Sequence, residues 1–122
     1  FVLIPDFLIS ALQEYDQRTG ITSGYMLRQL RDSECPLTSN TVKMIFQDLK
    51  ISTGIDRLHA HLLRHTFAIS YLIGGGNLEF LRVFLGHYDY AATKTYVAMA
   101  AQMKLLGAPV YQLDPIFFQR GY

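Results

Sequence analysis

Histidine, arginine and tyrosine fall along the second half of the chain at spacings that suit work on a phosphate. In Leu58-His59-Ala60-His61-Leu62-Leu63-Arg64-His65-Thr66, the residues His61, Arg64 and His65 stand at i, i+3 and i+4. On a helix they share one face of the first turns. The residues that follow, Phe67 to Ile73, are apolar almost throughout, and a guanidinium buried among them is costly unless it is partnered. No acid has an obvious claim on it, since Asp56 lies about two turns back. A helix start also presents backbone N–H groups that favour an anion. Arg64 flanked by histidines therefore suits a phosphate, although the same spacing also serves structural or surface roles. Two more residues follow. Gly86 allows a sharp helix exit that leaves His87 in a turn, facing either a cleft or solvent. Tyr96 stands with Met99, Ala100 and Met103 at helical spacing and, taken alone, reads as a core-facing tyrosine.

The elements that must position these residues are mostly helical. After Pro5-Asp6, the residues Leu8, Ala11, Leu12 and Tyr15 recur at helical spacing, and Gly20 lies beyond them. Residues 21–37 read as a loop with a short strand near Gly24–Leu27. Thr38 or Ser39 caps a second helix, with Val42, Ile45, Phe46 and Leu49 on one face and Gly54 as its stop. A third helix runs from Ala60 to Ile73; it is apolar nearly all round, hence central and buried, and ends at Gly74-Gly75-Gly76. Asn77 caps a short helix carrying Leu78, Leu81 and Leu85, closed by Gly86. Asp89 caps a last long helix to Leu106, before Gly107 and Pro109. Phe1-Val2-Leu3-Ile4 looks like a strand with no convincing partner, so the pattern reads like the second half of a larger domain. The segment from Val110 to Tyr122 is apolar and aromatic without a clear period. There is no internal repeat, low-complexity stretch or linker.

Composition bounds the function more loosely. A chain of 122 residues, 50% apolar, fits one domain with a modest core and is too apolar for disorder. The net charge of +1 makes no case for a polyanion partner. It averages an acidic front, three basic against five acidic groups over residues 1–42, with a basic middle, seven against four over residues 43–104. Cys35 is the only cysteine, which excludes an internal disulfide and suggests a reducing, intracellular setting. No stretch approaches a membrane span of roughly 20 apolar residues, and the start has no basic region of a signal peptide.

Taken together, His61-Leu62-Leu63-Arg64-His65-Thr66-Phe67-Ala68, then Gly74–Asn77, then Leu85-Gly86-His87, then Tyr96 nine residues later, closely resemble the C-terminal half of the tyrosine recombinase (phage integrase) catalytic domain. The resemblance is firm over residues 38–97 and extends to residues 1–37. It implies a mainly α fold, the helical C-terminal portion of a catalytic domain that is α+β as a whole, with at most a short strand or hairpin here. It implies one domain over residues 1–122, truncated relative to the family.

The activity that this resemblance implies is site-specific recombination, integration or excision of a mobile element, by cleaving and rejoining double-stranded DNA through a 3′-phosphotyrosine. Tyr96 would be the nucleophile. A tyrosine hydroxyl is a weak acid and a poor nucleophile until it is assisted. Arg64 would clamp the phosphate in a bidentate manner that lysine cannot reproduce. His61 would act in proton transfer, and His87 would hydrogen-bond the phosphate, where developing charge needs fixed donors. His65 would be supporting. No cofactor and no metal is implied. The partners would be DNA and further copies of the chain, a tetramer on DNA in the bacterial cytoplasm, at the nucleoid. The tail, residues 108–122, would dock on a neighbouring protomer or pack on its own domain.

The family site also uses an arginine and a hairpin lysine, both expected upstream of Phe1. Thr19-Gly20 resembles part of the arginine motif, but no arginine follows it and it lies too close to His61; Arg18, Arg28 and Arg31 match nothing. The chain thus holds four of the six expected groups, as a truncated fragment would, and by itself is expected to be inactive. The alternative is a catalytically silent DNA-binding or regulatory remnant. A third reading, a metal site from His59, His61, His65 and His87, is weakened because His59 and His61 would splay apart on a helix. Type IB topoisomerases use a similar tyrosine, but the local pattern is closer to integrases.

Overall fold

The computed structural model describes residues 3–20, 23–29, 34–86, 90–107 and 112–118, with Tyr90 described by its backbone alone. Helix accounts for 69% of these residues, so the fold is mainly α. The α-helices are α1 (Asp6–Thr19), α2 (Ser39–Thr53), α3 (Ala60–Ile73), α4 (Leu78–Leu85) and α5 (Tyr90–Leu105), with a 3-10 turn at Pro115–Phe118. The chain divides into two compact units, a front unit of Ile4–Ala60 and a rear unit of His61–Tyr122 together with Phe1–Leu3.

In the front unit, local bonds set the helix limits. Asp6 lies in the first turn of α1 and Arg18 in its last, each complementing the helix dipole. The half-buried stripe of α1 is Leu12, Tyr15, Asp16 and Thr19, while Leu8 and Ala11 stay exposed. The expected stripe has therefore slid one turn toward the C-terminus. The cause is what covers it: Arg28, 4% exposed, donates to Asp16 at 2.5 Å and to the Tyr25 carbonyl at 2.9 Å, and its guanidinium lies 5.2 Å from the Tyr15 ring centre. Arg28 thus ties the last turns of α1 to the segment that follows it.

The strand expected near Gly24–Leu27 is replaced by a single antiparallel bridge between Arg28 and Pro36, flanked by bonds from the Gln29 N–H to the Cys35 carbonyl and the Leu37 N–H to the Leu27 carbonyl. Thr38 is the cap of α2, its hydroxyl accepting from the Thr41 N–H at 3.1 Å. Val42 and Phe46 are half-buried, but Ile45 and Leu49 are exposed, so only half of the expected apolar face is covered. Leu3 and Ile4 form no strand; Phe1 and Val2 lie outside the described residues.

The rear unit holds the core. Ala68, Ile69 and Tyr71 of α3, Leu81 and Leu85 of α4, and Tyr96 and Ala100 of α5 are buried together. Phe67, Phe80, Phe84, Phe117 and Phe118 close around them in edge and stacked contacts of 5.1–5.9 Å between ring centres. Helix α3 stops in a Schellman motif: the Gly76 N–H bonds the Tyr71 carbonyl, the Gly75 N–H bonds the Leu72 carbonyl, and Gly75 has φ 88°. The Tyr71 hydroxyl accepts from the Asn77 N–H at 3.1 Å, and burial pushes its pKa above 10.0. Asn77 in turn accepts from the Phe80 N–H and starts α4. A side-chain carbon at Gly74 would stand 2.9 Å from the Phe118 ring, so the glycine makes room for that ring. Of the two expectations for the tail, packing on its own unit describes Pro115–Phe118. Residues 108–111 and 119–122 lie outside the described residues.

Candidate active site on α3, α4 and α5

The first two turns of α3 present three of the expected residues. His61 is exposed, while Arg64 and His65 are half-buried. The rings of His61 and His65 meet edge to face, 6.3 Å between centres. These positions come from the i, i+3, i+4 spacing on a helix whose later turns are pinned in the core through Ala68, Ile69 and Tyr71. The chemical end of α3 is therefore held by the burial of its other end.

Helix α5 brings Tyr96 to the same place. Tyr96 is 7% exposed, and its ring meets His65 edge to face at 5.2 Å and 82°. The buried face of α5 is Thr93, Tyr96 and Ala100, with Met103 half-buried. Met99, expected on that face, is 39% exposed, because its position lies off to one side of the line through Thr93, Ala100 and Met103. His65 is thus the residue on which His61 and Tyr96 converge, a closer involvement than its side chain suggested in the sequence.

Helix α4 supplies a group that side-chain reasoning misses. Arg64 donates through Nη2 to the backbone carbonyl of Leu85, the last residue of α4. This answers the sequence question of what partners a guanidinium with no acid nearby. The last carbonyls of a helix lack intrahelical N–H partners, and the helix C-terminus attracts a cation. The only sequence signal was the Gly86 stop, which marks where α4 ends. His87 and Asp89 lie outside the described residues.

A planar fork and two imidazoles on neighbouring turns of α3, with the phenol of α5 against His65, form a set of donors and proton carriers suited to an anionic, tetrahedral group. Among the described residues, no group of three or more His, Cys, Asp or Glu is placed to hold a metal ion, and no helix is long and apolar enough to cross a membrane.

The chain is 40% identical over 68 residues to the tyrosine recombinase XerD of Caulobacter vibrioides, covering 54% of this chain and 22% of that protein. It is 28% identical over 92 residues to the tyrosine recombinase XerC of Staphylococcus epidermidis, covering 75% of this chain and 30% of that one. With XerC of Bacillus licheniformis the identity is 36% over 69 residues, 56% of this chain and 23% of the relative. The chain therefore spans under a third of the length of each of these relatives. No solved structure matches it significantly. The model of the phage integrase family matches residues 3–103, a span that contains α3, α4 and nearly all of α5, and the chain belongs to that family.

Proposed function

We propose that this chain carries the tyrosine-bearing part of a site-specific DNA recombinase active site, and that the full-length recombinase containing it cleaves and rejoins double-stranded DNA through a 3′-phosphotyrosine. The observation that carries this reading is the meeting of Tyr96 with His65 on the face of α3 that also bears Arg64 and His61. Family membership supports it.

In this reaction the Tyr96 hydroxyl oxygen attacks the phosphorus of a backbone phosphodiester. The bond from phosphorus to the 5′ oxygen breaks, and the 5′ hydroxyl leaves with a proton. The phenol proton is taken up as the new ester forms, and His61 is the candidate carrier, because imidazole exchanges protons near neutral pH. Arg64 offers its fork to the non-bridging oxygens, where charge builds. His87 donates to the same phosphate. His65 orients the Tyr96 ring by its edge-to-face contact. Rejoining reverses these steps with a 5′ hydroxyl as the attacking group, so the phosphodiester energy is conserved and no nucleotide cofactor is required. The working form is a tetramer on DNA, one active site per crossing strand.

A nicked suicide duplex tests this. The full-length protein forms a denaturant-resistant adduct with the 3′ end, and Tyr96→Phe abolishes it. An adduct that persists in Tyr96→Phe removes the nucleophile assignment. DNA binding with no adduct from any form of the protein points instead to a silent DNA-binding module. Arg64→Ala lowers cleavage by roughly a hundred- to a thousandfold, as loss of a preorganised charge clamp does, while DNA affinity falls only slightly because many other phosphate contacts carry binding.

A further inference from the structure

The bond from Arg64 to the Leu85 carbonyl joins two elements far apart in sequence, and the joint lies one residue before Gly86. Gly86 has φ 73° and closes α4, its N–H bonded back to the Val83 carbonyl. The left-handed turn ends the helix at Leu85, and the carbonyl there is satisfied from outside the helix, by Arg64. A guanidinium is a rigid plane, so anchoring one arm fixes the direction of the whole fork. A fork held in advance does not have to be ordered when the phosphate arrives.

We propose that Gly86 is a positioning residue for Arg64, acting through the Leu85 carbonyl to preset the guanidinium for the phosphate. The proposal rests on the reading of Arg64 as the phosphate clamp. Its strength depends on the turn keeping its left-handed geometry, which glycine holds without cost, asparagine tolerates, and alanine or valine resist.

The site allows a clean test. Among the described residues a side-chain carbon at Gly86 meets nothing within 4 Å, so a substitution there strains the backbone without a clash. Gly54 is a matched control: it closes α2 in the front unit with φ 71° and equally open surroundings. Adduct formation by the full-length protein on the suicide duplex is measured at saturating protein, beside DNA affinity. Gly86→Ala is expected to slow adduct formation roughly ten- to a hundredfold with affinity unchanged. Gly86→Asn keeps most of the rate, Gly86→Val loses most of it, and Gly54→Ala leaves it at the wild-type level. An unchanged rate in Gly86→Ala, or an equal fall in Gly54→Ala, overturns the proposal. So does loss of the Gly86→Ala effect in a His87→Ala background, which would route it through the neighbouring histidine.

The Arg64 guanidinium is followed by NMR in the same proteins. Its Nη2 protons are expected to exchange slowly in the wild type and in Gly86→Asn, and to average rapidly in Gly86→Ala. If the full-length protein forms no adduct, the recombinase reading fails by itself, and this signature still decides the proposal: equal exchange in wild type and Gly86→Ala overturns it.

Discussion

The front and rear units are built on different balances of force. In the rear unit seven apolar residues from three helices are buried together, and Leu81 and Thr93 are almost completely enclosed. In the front unit neither α1 nor α2 has a fully buried residue, and Phe7 and Ile51 are 67% and 84% exposed. Order there comes from bonds made over short sequence distances: the Thr38 cap, the helix-ending turns, and the clamp of Arg28 on Asp16 and Tyr25. The groups assigned to chemistry sit in the unit with the shared core. A constellation that must hold its geometry benefits from elements locked by packing, because packed side chains have few alternative arrangements.

Substitutions can break or sharpen this contrast. Leu81→Ala is expected to cost about 2–5 kcal/mol of unfolding free energy, the range for deleting an enclosed leucine. Leu49→Ala in the front unit, at a position 39% exposed, costs less than about 1 kcal/mol. Denaturant unfolding compares them, and similar losses would erase the distinction. Arg28→Ala comes next, at about 1–3 kcal/mol; it removes the clamp while Asp16 keeps access to water, 41% exposed. Proteolysis between α1 and α2 should accelerate in this variant and stay unchanged in Leu81→Ala under native conditions.

Thr38→Ala removes the side-chain acceptor for the Thr41 N–H and costs about 1 kcal/mol, read as faster amide exchange in the first turn of α2. The smallest effect is a slope. Tyr71 has its pKa raised by burial above 10.0, so the folded state holds the phenol proton more tightly than the unfolded state. The stability this contributes is fully present below pH 10.0 and is lost as pH rises through the higher folded-state value. Tyr71→Phe should flatten that alkaline fall in thermal unfolding, and an unchanged slope would remove the assignment.

Much of the fold is legible in the residues themselves, in both units. Thr38 and Asn77 cap the helices they were expected to cap, and α3 runs from Ala60 to Ile73 as its pattern indicates. The failures share one cause. The stripe of α1, the exposure of Ile45 and Leu49, and the outward position of Met99 all depend on which neighbour covers a helix, and periodicity marks a face without naming its partner. The expected short strand is likewise reduced to an isolated bridge between Arg28 and Pro36, a pairing that the residue pattern did not name.

The same division runs through the candidate site. The chain's residue order alone determined that His61, Arg64 and His65 share a helix face, that glycines end the flanking helices, and that the run from His61 to Tyr96 resembles an integrase. The first two rest on interactions within about a turn of helix, and the third on residue types in their order along the chain. Only the tertiary structure decided that Tyr96 meets His65, that Phe118 lies against Gly74, and that Arg64 is anchored on the carbonyl of Leu85. A backbone carbonyl is chemically the same in every residue. It becomes a specific partner only when packing brings one particular helix end to one particular side chain.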